Sequence, residues 1–161
     1  DHGCDWSSDV CSSDLKGQFS MVPPLLPQAA GEWMLMNDLI YTSKAGKQFV
    51  TPKYFITDLA SIPWLVTPVF DSIDTRLPGI VHDGLYCMNR EPRELCDDLL
   101  SEMLDVVGCD AARRDLIFDG VRIGGESRYE ACNGGPKLED FGWDSMTPYE
   151  VNLYKSAYKI S

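Results

Sequence analysis

The chain reads as an α+β fold, a small N-terminal antiparallel β-sheet packed against three or four C-terminal α-helices in a single domain. Three observations predict it. From Gln18 to Thr57, aromatic and β-branched runs alternate with Pro, Gly, Asn and Asp punctuation, the grammar of short strands and turns. From Leu77 to Ile123, apolar residues recur at three- and four-residue spacing, the period of helices with one buried face. The connections between those helical stretches are only a few residues long, so the helices are antiparallel neighbours. Strands first and helices after is the α+β order.

Taken along the chain, Gln18 to Val22 predicts an edge strand, closed by Pro23, Pro24 and Pro27, because proline cannot donate to a ladder. Trp33–Met36 and Leu39–Thr42 follow as strands, and Lys44-Ala45-Gly46-Lys47 is a turn leading into Gln48–Thr51, a β-hairpin. Pro52 and Lys53 interrupt before Tyr54–Thr57, a last strand that delivers Asp58. Ser61 caps a short helical turn at Ile62-Pro63, with Trp64, Leu65 and Val66 as an apolar plug ended by Pro68.

Asp74 or Thr75 then caps a helix over about 75–89, carrying Leu77, Val81, Leu85 and Met88 on one face, with Gly84 marking a close approach. Pro92 opens a second helix to Val107, striped by Leu95, Leu99, Leu100, Met103 and Leu104 and stopped by Gly108. Asp110 caps a third over about 111–123, with Leu116, Ile117, Val121 and Ile123 inward. Residues 126–146 read as irregular. Thr147-Pro148-Tyr149-Glu150 has the form of a capping box and opens a terminal helix to about Tyr158.

Composition narrows the function. With 44% hydrophobic and 24% charged residues the chain is globular in type. A formal charge of −11 excludes a broad duplex-binding surface, which needs clustered Lys and Arg. No apolar run reaches the ~20 residues of a membrane helix, and no basic-then-apolar leader opens the sequence, so a soluble location inside the cell is expected. Residues 1–15, with Asp5-Trp6-Ser7-Ser8-Asp9-Val10, resemble translated sequencing adapter, as found in metagenomic gene sequences, and are set aside as non-native or disordered. They carry four aspartates, so the remainder has a formal charge of −7. The domain then covers 16–129, and 130–161 is an extension whose terminal helix packs on it. Cys87, Cys96, Cys109 and Cys132 form no CxxC pair, which argues against structural zinc.

Once residues 1–15 and their His2 are set aside, His82 is the lone imidazole, the side chain suited to proton transfer near neutral pH. His82 and Tyr86 share a helix face, while Asp83 points about 100° away. Asp97 or Asp98, on the following antiparallel helix, can lie opposite His82 and fix its tautomer. Asp58 offers a second acid or a metal ligand, and Ser61 a nucleophile or donor. Each also has a structural reading: a packed helical histidine, a strand-to-helix turn capped by Asp58 and Ser61, solvated helix acids.

The run Thr57-Asp58-Leu59-Ala60-Ser61-Ile62-Pro63, then His82-Asp83-x-Leu85-Tyr86, Arg93-x-x-x-Asp97 and Val121-Arg122, resembles the phage and prophage family known as domain of unknown function 1353, over about residues 17–129. The resemblance implies a bacteriophage protein, acting in the cytoplasm of the infected host, and brings Asp58, Ser61, His82, Asp83, Tyr86, Arg93, Asp97 and Arg122 forward; it implies no activity. Locally, His82-Asp83-x-x-Tyr86 with Asp97 looks like the arrangement in secreted phospholipases. By that analogy His82 is the base, Asp97 its orienter and Asp83, with Asp58, a ligand for a divalent cation; the Gly-rich calcium loop and disulfides of those enzymes are absent.

Three functions are expected to compete. The first is a small hydrolase of an ester or phosphoester, with His82, Asp97, Asp58 and Ser61 catalytic. The second is a phage anti-defence protein that sequesters a nucleotide immune signal on Arg93, Arg122, Tyr86 and Trp64. The third is a virion or tail-assembly component. The expected partner is a small molecule, nucleotide-like in the first two readings, with neither duplex nucleic acid nor membrane, and a homo-oligomer is left open.

Overall fold

A computed structural model of the chain describes residues 16–58 and 73–160. The strands are β1 (Gln18–Phe19), β2 (Leu25–Pro27), β3 (Trp33–Leu35), β4 (Leu39–Thr42), β5 (Gln48–Thr51) and β6 (Ile56–Thr57). The helices are α1 (Ile73–Met88), α2 (Arg93–Val106), α3 (Ala111–Gly124), α4 (Glu126–Ala131) and α5 (Pro148–Tyr158), with short 3-10 turns at Ala29–Gly31, Leu138–Asp140 and Trp143–Ser145. The α+β layout is as the sequence predicts. Its details differ in instructive places.

Where one sheet is expected, there are two three-stranded antiparallel sheets among the described residues, ordered β1-β4-β5 and β2-β3-β6. The consecutive strands β3 and β4 fall in different sheets because the chain turns a corner between them. Met36 N–H donates to the Pro24 carbonyl, and Asp38 Oδ1 accepts from Lys53 N at 2.7 Å, so the corner at 36–38 is tied to the opposite corner at Pro52-Lys53-Tyr54. Tyr54 holds a φ of 67° there, a left-handed conformation that a bulky residue seldom adopts. Its hydroxyl donates to Glu150 Oε1 at 2.9 Å, from the first turn of α5. The predicted hairpin pairs Leu39–Thr42 with Gln48–Thr51, and Gly46 takes φ 79° in its turn.

α1 rests on β4 and β5, α2 packs against α1, and α3 against α2. α2 ends at Val106, with Gly108 at φ 79° and Cys109 N–H reaching back to the Leu104 carbonyl, a Schellman closure. Asp110 caps α3 by accepting from Arg113 N at 3.0 Å, and the Thr147–Glu150 capping box opens α5. α1 begins at Ile73, ahead of the expected caps Asp74 and Thr75.

α3 buries Ile117 and Val121 against α2, but Leu116 and Ile123 stand 47% and 84% exposed. The outward pair lies roughly 100–160° around the helix from the inward one, and α3 packs through a single seam, too narrow to cover both. Leu95, at 37% exposure, leaves the stripe of α2 for the same reason. Residues 126–146, read as irregular, contain α4, and Phe141 from this stretch is fully buried, bridging to Phe55. The core is one continuous cluster, including Met34, Leu39, Tyr41, Phe55, Leu100 and Phe141.

Gly84 is where α1 crosses the second hairpin strand. A Cβ there would stand 2.6 Å from Thr51 Oγ1 and 2.8 Å from its Cγ2, and Thr51 is buried and branched, with little room to yield. Gly84→Ala is therefore expected to destabilise the protein by about 1–3 kcal/mol, despite alanine's better helix propensity, as an overpacking substitution does. Urea unfolding of the variant checks this; unchanged stability would mean that α1 lies farther from β5.

Candidate functional site

The site is built from α1 and its antiparallel neighbour α2. α1 ends at Met88 because Asn89 turns left-handed, with φ 49°, and Pro92 then redirects the chain into α2. This tight return lays the N-terminal turn of α2 across the face of α1 that carries His82 and Tyr86. Asp97 projects into that face and is completely buried, and His82 keeps only 6% exposure.

The two oxygens of Asp97 do different things. Oδ1 lies 3.0 Å from His82 Nε2 and accepts the Tyr86 hydroxyl at 2.5 Å, and the two rings pack with centroids 4.2 Å apart. Oδ2 faces two guanidinium groups, with Arg122 Nε at 3.6 Å and Arg93 Nε at 3.8 Å. These are ion-pair distances rather than hydrogen bonds, and neither Oδ2 nor Arg93 Nε has a hydrogen-bond partner among the described residues. Burial pushes the Asp97 carboxyl upward. The hydrogen bonds from His82 and Tyr86, with the charges of His82 and Arg122, outweigh it and hold the group below its ordinary range. Burial, then the bond to Asp97, pushes the Tyr86 hydroxyl up, so it stays a donor.

An ionised carboxylate can only accept, so the proton of a neutral His82 sits on Nε2. Nδ1 is thereby left as an acceptor on the other edge of the ring, turned away from Asp97 and the arginines. The arrangement is that of a general base with its orienting acid.

Arg93 and Arg122, expected to bind a ligand, are turned inward. Arg93 Nη2 donates to the carbonyls of Val121, at 3.2 Å, and of Arg122, both in the last turn of α3. Arg122 Nη2 donates to Asp98 Oδ1 at 2.9 Å, and its guanidinium lies over the Phe118 ring. Tyr86, also expected on a ligand, is the second donor to Asp97. Thus Asp98, weighed beside Asp97 as the partner of His82, pairs instead with Arg122.

Asp83 flanks the site. Its Oδ2 accepts from Thr57 Oγ1 at 2.7 Å, which ties the end of β6 to α1 and brings the following Asp58 close enough to raise the Asp83 carboxyl electrostatically. Burial is the larger cause, and together they push Asp83 up to about 6 against the pull of Thr57. Folding thus shifts Asp83 toward its protonated form relative to the unfolded chain. Its contribution to stability is full below its unfolded value of 3.8 and is lost as pH rises through about 6. Asp83→Asn, which keeps the acceptor for Thr57, is accordingly expected to gain about 1–2 kcal/mol at neutral pH, discounted for the side chain's residual contact with solvent, and nothing in strong acid. Unfolding measured across the pH range checks the sign.

Ser61, Trp64 and the Leu59–Pro63 part of the motif lie outside the described residues, as do residues 1–15. Asp58 and Asp83, the expected metal ligands, are two carboxylates. Among the described residues no group of three or more His, Cys, Asp or Glu side chains is placed to hold a metal ion.

Three contributors escape the sequence reading. Thr57 holds Asp83, Arg128 lowers it electrostatically, and Tyr129 packs edge-on against Tyr86 at 5.3 Å while donating to the Glu91 carbonyl at 2.9 Å. The last two sit on α4. The run Glu126–Ala131 between Gly125 and Gly134 was the available signal.

A family model described as Protein of unknown function (DUF1353) matches residues 33–121, a little over half of the chain. The matched stretch holds β3 to β6 and α1 to α3 as far as Val121, and so includes Asp58, His82, Asp83, Tyr86, Arg93 and Asp97. No curated protein and no solved structure matches the chain.

Proposed function

We propose, for a chain that belongs to the family described as Protein of unknown function (DUF1353), that it is a small hydrolase in which His82 activates water against an ester or phosphoester. The observation that carries this reading is the 3.0 Å contact between His82 Nε2 and the fully buried Asp97. A nearly sealed imidazole, held in one tautomer by an ionised carboxylate, is suited to take a proton from water at Nδ1. The resulting imidazolium is stabilised through Nε2–H by Asp97, and the hydroxide oxygen bonds to the electrophilic centre. His82 then returns the proton to the leaving oxygen. Asp83, the next residue along α1, is held toward its protonated form by burial, with Asp58 close enough to act on it.

Phage encoding belongs to the same proposal and rests on the TDLASIP and HDxLY pair. The sequestering alternative draws less support, because Arg93 and Arg122, which were to grip phosphate, face Asp97 and the end of α3. Turnover of chromogenic esters by the wild-type chain and by His82→Gln tests the reading. Activity in the first and its loss in the second, with matching circular dichroism, is the expected result; equal rates in both sink it.

A further inference from the structure

The last turn of α1 faces the six-residue helix α4 and the turn that follows it. Tyr129 packs edge-on against Tyr86 at 5.3 Å, Asn89 Nδ2 donates to the Tyr129 carbonyl at 3.5 Å, and a Cβ on Gly135 would stand 3.8 Å from the Met88 carbonyl oxygen. Residues 129–135 therefore run beside residues 86–89. Each of these stretches holds a cysteine, Cys87 and Cys132, and the two thiols are hydrogen-bonded to each other. One helical turn earlier stand Asp83 on α1 and Arg128 on α4, which act on one another electrostatically and both act on Cys132. The face of α1 that carries 83 and 87 thus looks onto the face of α4 that leads from 128 to 132.

The thiol pair is asymmetric. Cys87 is 2% exposed whereas Cys132 is only half-buried, so a reagent from solvent meets Cys132 first. The hydrogen bond from Cys87, with the charge of Arg128, holds the Cys132 thiol below its ordinary range against burial, and the same bond together with burial pushes Cys87 up. Cys132 is then the nucleophile and Cys87 the proton-bearing partner. The other described cysteines are placed differently: Cys96 is fully buried and donates to the Glu91 carbonyl at 3.8 Å, and Cys109 lies beyond the far end of α2 beside Arg113 and Asp110. Bringing hydrogen-bonded sulfurs to bonding distance takes a shift of about 1–2 Å. α4 can supply it, being short and flanked by Gly125 on one side and by Gly134 and Gly135, with φ of 96° and 87°, on the other.

We infer that Cys87 and Cys132 are a dithiol site that hydrogen peroxide oxidises to a disulfide, clasping α4 onto the end of α1; this stands apart from the hydrolase reading. The Cys132 sulfur attacks one peroxide oxygen, the O–O bond breaks, and the other oxygen leaves as water with the Cys132 proton, so that Cys132 becomes a sulfenic acid. The Cys87 sulfur then attacks the Cys132 sulfur, the S–O bond breaks, and the hydroxyl leaves as a second water with the Cys87 proton. Two electrons pass from the sulfurs to the peroxide, and a reducing thiol reverses the change. Because Tyr129 rides on α4, oxidation fastens the neighbour of the Tyr86–Asp97 hydrogen bond.

The test uses the full chain, reduced and then exposed to a small excess of hydrogen peroxide, with dimedone to trap sulfenic acid. Remaining thiols are alkylated and a tryptic digest is mapped by mass spectrometry; trypsin puts Cys87 in residues 77–90 and Cys132 in residues 129–137, each as the single cysteine of its peptide. The expected result is a link between these two peptides within one chain, lost on treatment with dithiothreitol. Amide hydrogen exchange over residues 126–135 should slow by about tenfold or more in the linked form. Cys87→Ala should leave Cys132 as the dimedone-labelled sulfenic acid, and Cys132→Ser should leave Cys87 untouched. Both thiols still alkylated after peroxide, Cys132 trapped by dimedone in the wild type with no link, or either sulfur joined to another cysteine instead overturns the inference. So does a linked chain whose amides over 126–135 exchange as fast as in the reduced form. The wild-type map decides the matter even if Cys87→Ala fails to fold.

Discussion

Asp97→Ala is expected to cost about 3–5 kcal/mol of unfolding free energy, the range found when one member of a buried charge network is removed. The loss comes less from the contacts deleted than from what stays behind. His82 Nε2–H and the Tyr86 hydroxyl lose their shared acceptor, and Arg93 and Arg122 lose the counter-charge that faces them. Asp97→Asn keeps the shape and one acceptor, so it should lose less. The sign with pH is fixed by the depressed folded value of Asp97: its contribution is present above the carboxyl's unfolded range and disappears as pH falls through the folded one. Urea unfolding of the wild type and both variants should therefore show wide separation near neutrality and converging curves in acid. A loss below 1 kcal/mol at neutral pH would mean that water reaches this carboxylate.

His82→Gln is expected to lower turnover of a good ester by about 10²–10⁴-fold, the usual contribution of a positioned general base, while the protein stays folded. Glutamine can still donate to Asp97 Oδ1, so the variant removes the proton acceptor more than the packing. Because the acid acts through the imidazole, Asp97→Asn should lower the rate by a similar order, and the double variant should be scarcely worse than His82→Gln alone. Losses that multiply would place Asp97 in a separate role. Steady-state rates on one ester, with pH profiles for the single variants, make the comparison.

The chemistry of α1 and α2 was legible because it rests on local spacing. His82 and Tyr86 at four residues share a face, and a short return before Pro92 obliges α2 to run back along it, so a carboxylate opposite the ring could be expected. Deciding between Asp97 and Asp98 needed the rotation of α2, which depends on packing that periodicity alone leaves open. The placing of the arginines was hidden for a related reason: Arg93 and Arg122 look like anion ligands in one dimension, and only the crossing of α2 and α3 turns them toward Asp97. The division into two sheets was hidden because hydrogen-bond pairing across the corners at Asp38 and Tyr54 is long-range. α4 was missed because glycines flank a run too short for the helical period to declare itself.

The matched family stretch ends at Val121, yet the wall behind Tyr86 is made afterwards. Gly125 passes so close that a Cβ there would meet the Tyr86 hydroxyl at 2.7 Å, and Tyr129 then closes over the ring. A relative whose chain stopped soon after the shared portion would have the same dyad with its back open to water. The carboxylate would be better solvated, its hold on the imidazole looser, and its base weaker. Family members that differ only in their ends would then differ in reactivity while keeping every residue of the motif.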